Sequence, residues 1–153
     1  MPNTYTQLYI QFVFAVKYRE SLIAAAWEDE LYKYITGIVQ NNGSKMLAIN
    51  GMSDHIHIFT GYKPTVPMPD LIKDVKVASS LWINDRGLAK KKFSWQEGYG
   101  AFSYSRSHLD IVCRYIANQK AHHRKKTFKL EYLELLKKFE VEYNEKYLFD
   151  FFD

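Results

Sequence analysis

Residues 45–62, KMLAINGMSDHIHIFTGY, constrain the fold more than any other stretch, because they read as two strands joined by a short turn at 51–54. Successive side chains of a strand point to opposite faces. His55 and His57 therefore share one face of the second strand, and Ile56 and Ile58 share the other. One face is oily, and the other carries two imidazoles close enough to grip one ion.

What flanks this hairpin sets the architecture. Residues 4–17 (TYTQLYIQFVFAVK) are rich in β-branched and aromatic side chains and read as a buried strand. Residues 21–41 read as a helix with Leu31, Tyr34, Ile35 and Ile38 on one apolar stripe, stopped by Gly43. After the loop KPTVPMP, residues 70–84 read as a second helix, opened by Asp70 and followed by Gly87. Residues 99–105 (YGAFSYS) complete four strands. The order β-α-β-β-α-β predicts an α+β, ferredoxin-like fold. Right-handed crossovers put both helices on one face of a four-stranded antiparallel sheet, leaving the other face free for a ligand or a second subunit.

Further helices follow this core of residues 4–106. A third helix is expected over about 107–126, capped by the Ser107 hydroxyl with Asp110 three residues on. An acidic amphipathic helix is expected over 130–147, and the tail YLFDFF is expected to pack on the domain or on a partner. With 153 residues, 47% of them hydrophobic and 16% aromatic, the chain reads as a single domain spanning 1–153.

Charge is distributed unevenly. Residues 1–72 carry 5 basic and 6 acidic side chains, residues 73–129 carry 13 and 4, and residues 130–153 carry 3 and 7. A basic middle suits a polyanion-binding face, and a solvated lysine-rich surface accounts for it equally well. The candidate polyanion contacts, which become DNA contacts under the resemblance given below, are Lys73, Lys76, Lys90, Lys91, Lys92, Arg106, Lys120, Arg124, Lys125 and Lys126. Trp82 and Trp95 are read as core packing, with stacking on unpaired bases as the alternative. No apolar run of membrane-spanning length occurs, and the N-terminus has no signal-peptide pattern. The single cysteine, Cys113, is read as helix packing and suits a reducing, cytoplasmic location.

The third helix carries the second clue. Leu109, Val112, Cys113 and Ile116 form its core stripe, and beside that stripe Tyr115 and Gln119 lie one turn apart and face the same way. His108 and His122 fall along the same ridge, and the helix ends in KAHHRKK, so these histidines and His123 read as solvated or phosphate-facing. A tyrosine hydroxyl, with a pKa of about 10, is a weak nucleophile at neutral pH. It becomes useful where a metal polarises phosphorus. His55 and His57 could hold that metal, with the Gln119 carbonyl oxygen as third protein ligand. The mixed nitrogen and oxygen set points to Mg2+ or Mn2+, although imidazole also accepts zinc. Asp54 either orients a metal-bound imidazole or caps the hairpin, and both readings stay open.

HIH (His55, Ile56, His57) preceded by Asp54, together with YIANQ ending in Gln119, resembles the two signatures of the single-tyrosine HUH transposases of the insertion-sequence 200/605 family. The likeness extends to chain size, element order and WQEGYGAFS ahead of the tyrosine helix. It implies cleavage of single-stranded DNA at hairpin-bearing element ends. Tyr115 would be the nucleophile of a 5′-phosphotyrosine link, and His55, His57 and Gln119 the metal ligands. It also implies a homodimer whose tyrosine helices complete each other's metal sites. Asn118–Gln119 differs from the asparagine-proline of the sister group associated with repetitive palindromes. The competing readings are a non-catalytic nucleic-acid-binding module on a ferredoxin-like sheet, and a replication-initiator or palindrome-associated HUH nuclease.

Overall fold

The computed structural model describes residues 3–122, 126–144 and 148. Four strands, β1 (Tyr9–Ala15), β2 (Lys45–Met52), β3 (His55–Gly61) and β4 (Gly100–Tyr104), form one antiparallel sheet in the order β2-β3-β1-β4. Helices α1 (Glu28–Asn41) and α2 (Met68–Asp85) are the two crossovers, so the split β-α-β-β-α-β order is as expected. Helices α3 (Leu109–Ala117), α4 (Gln119–His122) and α5 (Phe128–Lys138) follow.

The pleat sorts the side chains. Phe12 lies opposite Ile58 and Phe14 opposite Ile56, and these four pack with Leu31, Ile35 and Val39 of α1 and Leu71, Val75 and Ile83 of α2. Trp95 belongs to the same core, its indole N–H donating to Ser79, while Trp82 stacks on Tyr34 at 5.1 Å. Tyr34 is thus on the outer side of α1, and Tyr32 and Val39 take the place the stripe assigned to it.

The second face is not free, contrary to expectation. Val13, Ala15 and Phe102 are buried there beneath Phe128, Tyr132, Leu135 and Leu136 of α5, and Phe59 beneath Val112 and Ile116 of α3. The reason is legible in β1, whose residues from Ile10 to Ala15 are all buried: a strand apolar on both sides needs a cover on both sides.

Helix limits differ from expectation where backbone groups are committed elsewhere. Helix α1 starts at Glu28 rather than 21, because the Ile23 amide donates to the Ser53 carbonyl in the β2–β3 turn. Its first turn carries Glu28, Asp29 and Glu30, which suit the positive end of the helix dipole. Helix α2 starts two residues before Asp70, behind Pro67, and Gly87 ends it at φ +61°. Ser107 does not cap α3; it sits in a 3-10 turn with its hydroxyl bonded to Ser105. The continuous third helix is broken at Asn118, and its segment 123–125 lies outside the described residues. Helix α5 is capped by Thr127, whose hydroxyl accepts from the Leu130 amide at 3.2 Å. It stops at Lys138, well short of 147, where Glu140 takes φ +53° and the Val141 amide donates back to Leu136. Of the YLFDFF tail only Leu148 is described, and it packs against the α5 cluster.

Candidate active site

The strand pairing places the two imidazoles. His55 lies between Ala15 and Met52, and His57 between Val13 and Asn50, so both rings rise from the middle of the sheet and are fully buried. Their centroids are 5.2 Å apart. The ring of Phe128 lies flat on His55 at 3.8 Å.

Each ring is held from behind. The His55 Nδ1–H donates to Asp54 Oδ1 at 2.7 Å, and Arg19 Nε lies 2.9 Å from the other oxygen of that carboxylate. His57 Nδ1 lies 2.9 Å from the side-chain amide of Gln11, which in turn accepts from the Tyr104 hydroxyl at 2.7 Å. Asp54 thus hydrogen-bonds the His55 ring in addition to sitting at the turn. Burial pushes its carboxyl up, but the hydrogen bond and charge of His55 and the charge of Arg19 outweigh that and hold it below the usual value. Burial also lowers the affinity of His55 for a second proton, against the pull of Asp54.

In front of the rings stands Glu131, a residue that sequence reasoning assigned only to an acidic helix. Its Oε1 is 3.1 Å from His57 Nε2 and 3.6 Å from His55 Nε2. Its Oε2 accepts from the Gln119 side-chain amide at 3.0 Å and from the Tyr115 hydroxyl. The Gln119 oxygen faces His55 Nε2 at 3.4 Å. Glu131 is buried because Phe128, Glu131, Tyr132 and Leu135 share the inner stripe of α5. A carboxylate on an apolar stripe was the signal in the sequence that could have found it.

Tyr115 and Gln119 therefore reach the histidines of their own chain, and the His57 and Tyr115 ring centroids are 6.0 Å apart. Asn118 breaks the helix between them, yet both converge on Glu131. Burial first, then the charge and hydrogen bond of Glu131, push the Tyr115 phenol far above its ordinary value. A cleft of about 240 Å³ between α3 and α5 opens onto Tyr115 and Glu131, with Lys126 and Lys138 beside it.

A divalent cation fits this donor set. With its Nδ1 proton given to Asp54, His55 Nε2 turns a lone pair toward two oxygens, a convergence of donors that a cation would relieve. Donor atoms of His55, His57 and Glu131 lie within 4.8 Å of one another, and all three residues are buried.

The expected DNA contacts are scattered. Lys73 and Arg106 are exposed, the first on α2 and the second lining a groove of about 1030 Å³ with Lys45 and Lys63. The Lys76 amine donates to the carbonyls of Gln96 and Gly98, and burial draws its pKa down to about 8. Lys120 donates to the Gly51 carbonyl and pairs with Glu28 at 3.0 Å. Arg124 and Lys125 lie outside the described residues, as does His123; His108 bonds Ser105 away from the rings.

Comparison with known proteins identifies the family and the fold. The family model described as IS200-like transposase matches residues 4–119. The ISDra2 transposase TnpA of Deinococcus radiodurans is 25% identical over 118 residues, which is 74% of this chain and 84% of that relative. A crystal structure assigned as a Deinococcus radiodurans transposase superposes with a TM-score of 0.60 at 23% identity, covering 76% of this chain and 94% of that one. A REP-associated tyrosine transposase bound to a REP hairpin superposes at 0.58 and 15% identity, covering 79% and 72%. The last two show likeness of fold. Glu131 falls beyond the matched segment.

Proposed function

The chain belongs to the IS200-like transposase family, and from that premise we propose that it cuts and rejoins single-stranded DNA through Tyr115, with a divalent cation held by His55, His57, Gln119 and Glu131. Transposition makes it a DNA strand transferase. The observation that carries the residue assignment is the meeting of the Tyr115 hydroxyl and the Gln119 amide on one carboxylate oxygen, while the other oxygen faces both histidines.

The chemistry is the one the family resemblance implies. The Tyr115 oxygen attacks a backbone phosphorus, the bond to the 3′-oxygen breaks, and the 5′-phosphate remains on the tyrosine. The phenol loses one proton and the departing 3′-oxygen gains one, so the step is balanced without ATP. Attack by another 3′-hydroxyl reverses it and joins new ends. The cation, when bound, supplies charge neutralisation on the phosphate oxygens. Glu131 stands where it can take the phenolic proton, and the DNA reaches it through the cleft beside Lys126 and Lys138. Mg2+ or Mn2+ suits two imidazoles and two oxygens. One solved structure of similar fold is bound to a REP hairpin, which supports single-stranded DNA with hairpin-forming ends as the partner.

The test is incubation with Mn2+ and a single-stranded oligonucleotide carrying the element end. A covalent adduct on a denaturing gel is expected and should fall at least about 10³-fold in Tyr115→Phe. An adduct that survives this substitution removes the assignment. We also read the site as complete within one chain, in contrast to the composite homodimer the resemblance implies. Mixing Tyr115→Phe with His55→Ala protein should then restore no cleavage; recovery of activity would mean that the tyrosine crosses between subunits.

A further inference from the structure

Between β1 and α1 the chain makes an expensive detour. Tyr18 and Arg19 are consecutive non-glycine residues in left-handed backbone, at φ 58° and 51°. Such a conformation costs about 1–2 kcal/mol for an L-residue and persists only where surrounding contacts impose it. The contacts here are specific. The Val16 amide donates to the Asp54 carbonyl at 2.8 Å, the Arg19 amide to the Val16 carbonyl at 2.7 Å, and the Ile23 amide to the Ser53 carbonyl at 2.9 Å. The detour is thereby wrapped around the turn that precedes His55.

The detour turns Arg19 inward. Its side chain is 11% exposed, and Nε lies 2.9 Å from Asp54 Oδ2. Asp54 is 14% exposed and accepts from His55 Nδ1 through its other oxygen at 2.7 Å. The two carboxylate oxygens are thus divided between a fixed cation and the imidazole. An aspartate at a tight turn could instead rotate to accept from nearby backbone amides, as turn aspartates do. The guanidinium beside Oδ2 opposes that rotation.

We infer that Arg19 is a positioning residue for His55. It locks Asp54 so that the carboxylate holds the Nδ1 proton, leaving His55 Nε2 unprotonated and aimed at Glu131 and Gln119. This rests on reading His55 as a metal ligand. The competing view is a partly exposed ion pair that fastens a loop; that predicts lost stability but an unchanged imidazole.

The experiment compares wild-type protein with Arg19→Met and Arg19→Lys. Long-range proton–nitrogen correlation spectra of metal-free protein at pH 8 report which ring nitrogen of His55 carries the proton, assigned against His55→Gln. Calorimetric titration with Mn2+ then gives affinity, and thermal melts follow stability separately. Wild type should show a single Nδ1–H form. Arg19→Met should show a mixture of both forms and bind Mn2+ about 10-fold more weakly, with Arg19→Lys between the two. If Arg19→Met does not fold, the lysine variant, which keeps the charge but not the planar fork, decides by the same readouts. A His55 that stays wholly Nδ1–H, with Mn2+ affinity unchanged in the folded variants, overturns the inference. A wild-type protein that takes up no Mn2+ overturns the metal reading instead, and the tautomer spectra, recorded without metal, still decide the role of Arg19.

Discussion

On one face of the sheet Phe12, Phe14, Ile56 and Ile58 meet the apolar sides of α1 and α2. On the other face the same two strands present Gln11, Val13, His55 and His57 beneath α3 and α5. Both faces are buried, but they are held together differently. The first gains stability from area removed from water, so its members are exchangeable for others of similar volume. The second is a chain of partners, Arg19 to Asp54 to His55 and Tyr104 to Gln11 to His57, meeting at Glu131, where removal of one group leaves another buried without its hydrogen bond or its ion-pair partner. A fold core and a reaction centre thus share one set of strands, separated only by the pleat.

The comparison would be broken most decisively by substitutions that cross it. Phe14→Ala on the apolar face should cost about 3–5 kcal/mol in denaturant unfolding, while the folded fraction keeps its cleavage rate. His57→Ala should behave in the opposite sense, abolishing the adduct with a smaller loss of stability. If Phe14→Ala lowers the rate of the folded protein as strongly as His57→Ala does, the two faces are not independent. Next in size is the metal. Mn2+ at about 100 times its Kd should raise stability by about 2.7 kcal/mol, and the increment should vanish in His57→Ala and in Glu131→Ala. An equal increment in Glu131→Ala would place the carboxylate outside the coordination set.

The smallest expected effect sharpens the contrast through pH. Burial keeps His55 from taking a second proton in the folded state, so its folded pKa lies below the unfolded one. Above about pH 6.5 both states carry the same neutral ring, and this contribution is complete. As pH falls below that, the unfolded chain binds a proton the folded protein refuses, and stability declines toward the folded pKa, by at most about 1.4 kcal/mol per unit. In EDTA the slope should flatten in His55→Gln. The same slope in that variant would assign it to other groups. Asp54, held low by its partners, stabilises the fold fully above about pH 4 and loses that contribution only as pH falls below it, so it does not enter this slope.

Much of this was readable along the chain. Alternation in 55–58 put the histidines on one face and the isoleucines on the other, and a four-residue spacing put Tyr115 beside Gln119. Helix starts were read less well: the alanine-rich run before Glu28 has helical composition, but Ile23 is tied to the turn at Ser53. Lys76 and Lys120 looked like free cations, and each amine is engaged by backbone carbonyls of its own chain. Glu131 looked like one more acidic surface residue, and only its place on the Phe128–Tyr132–Leu135 stripe distinguished it.

The sequence by itself determined what each element presents to each side, because strand and helix periods are local and are set by bonds between near neighbours. It did not determine that α3 and α5 return to cover their own sheet. That choice brings Glu131 against His57 across 74 residues, while the β1–α1 detour separately brings Arg19 against Asp54. It depends on apolar area on both sides of β1 finding a cover, and on the entropy of closing long loops, neither of which has a period to read.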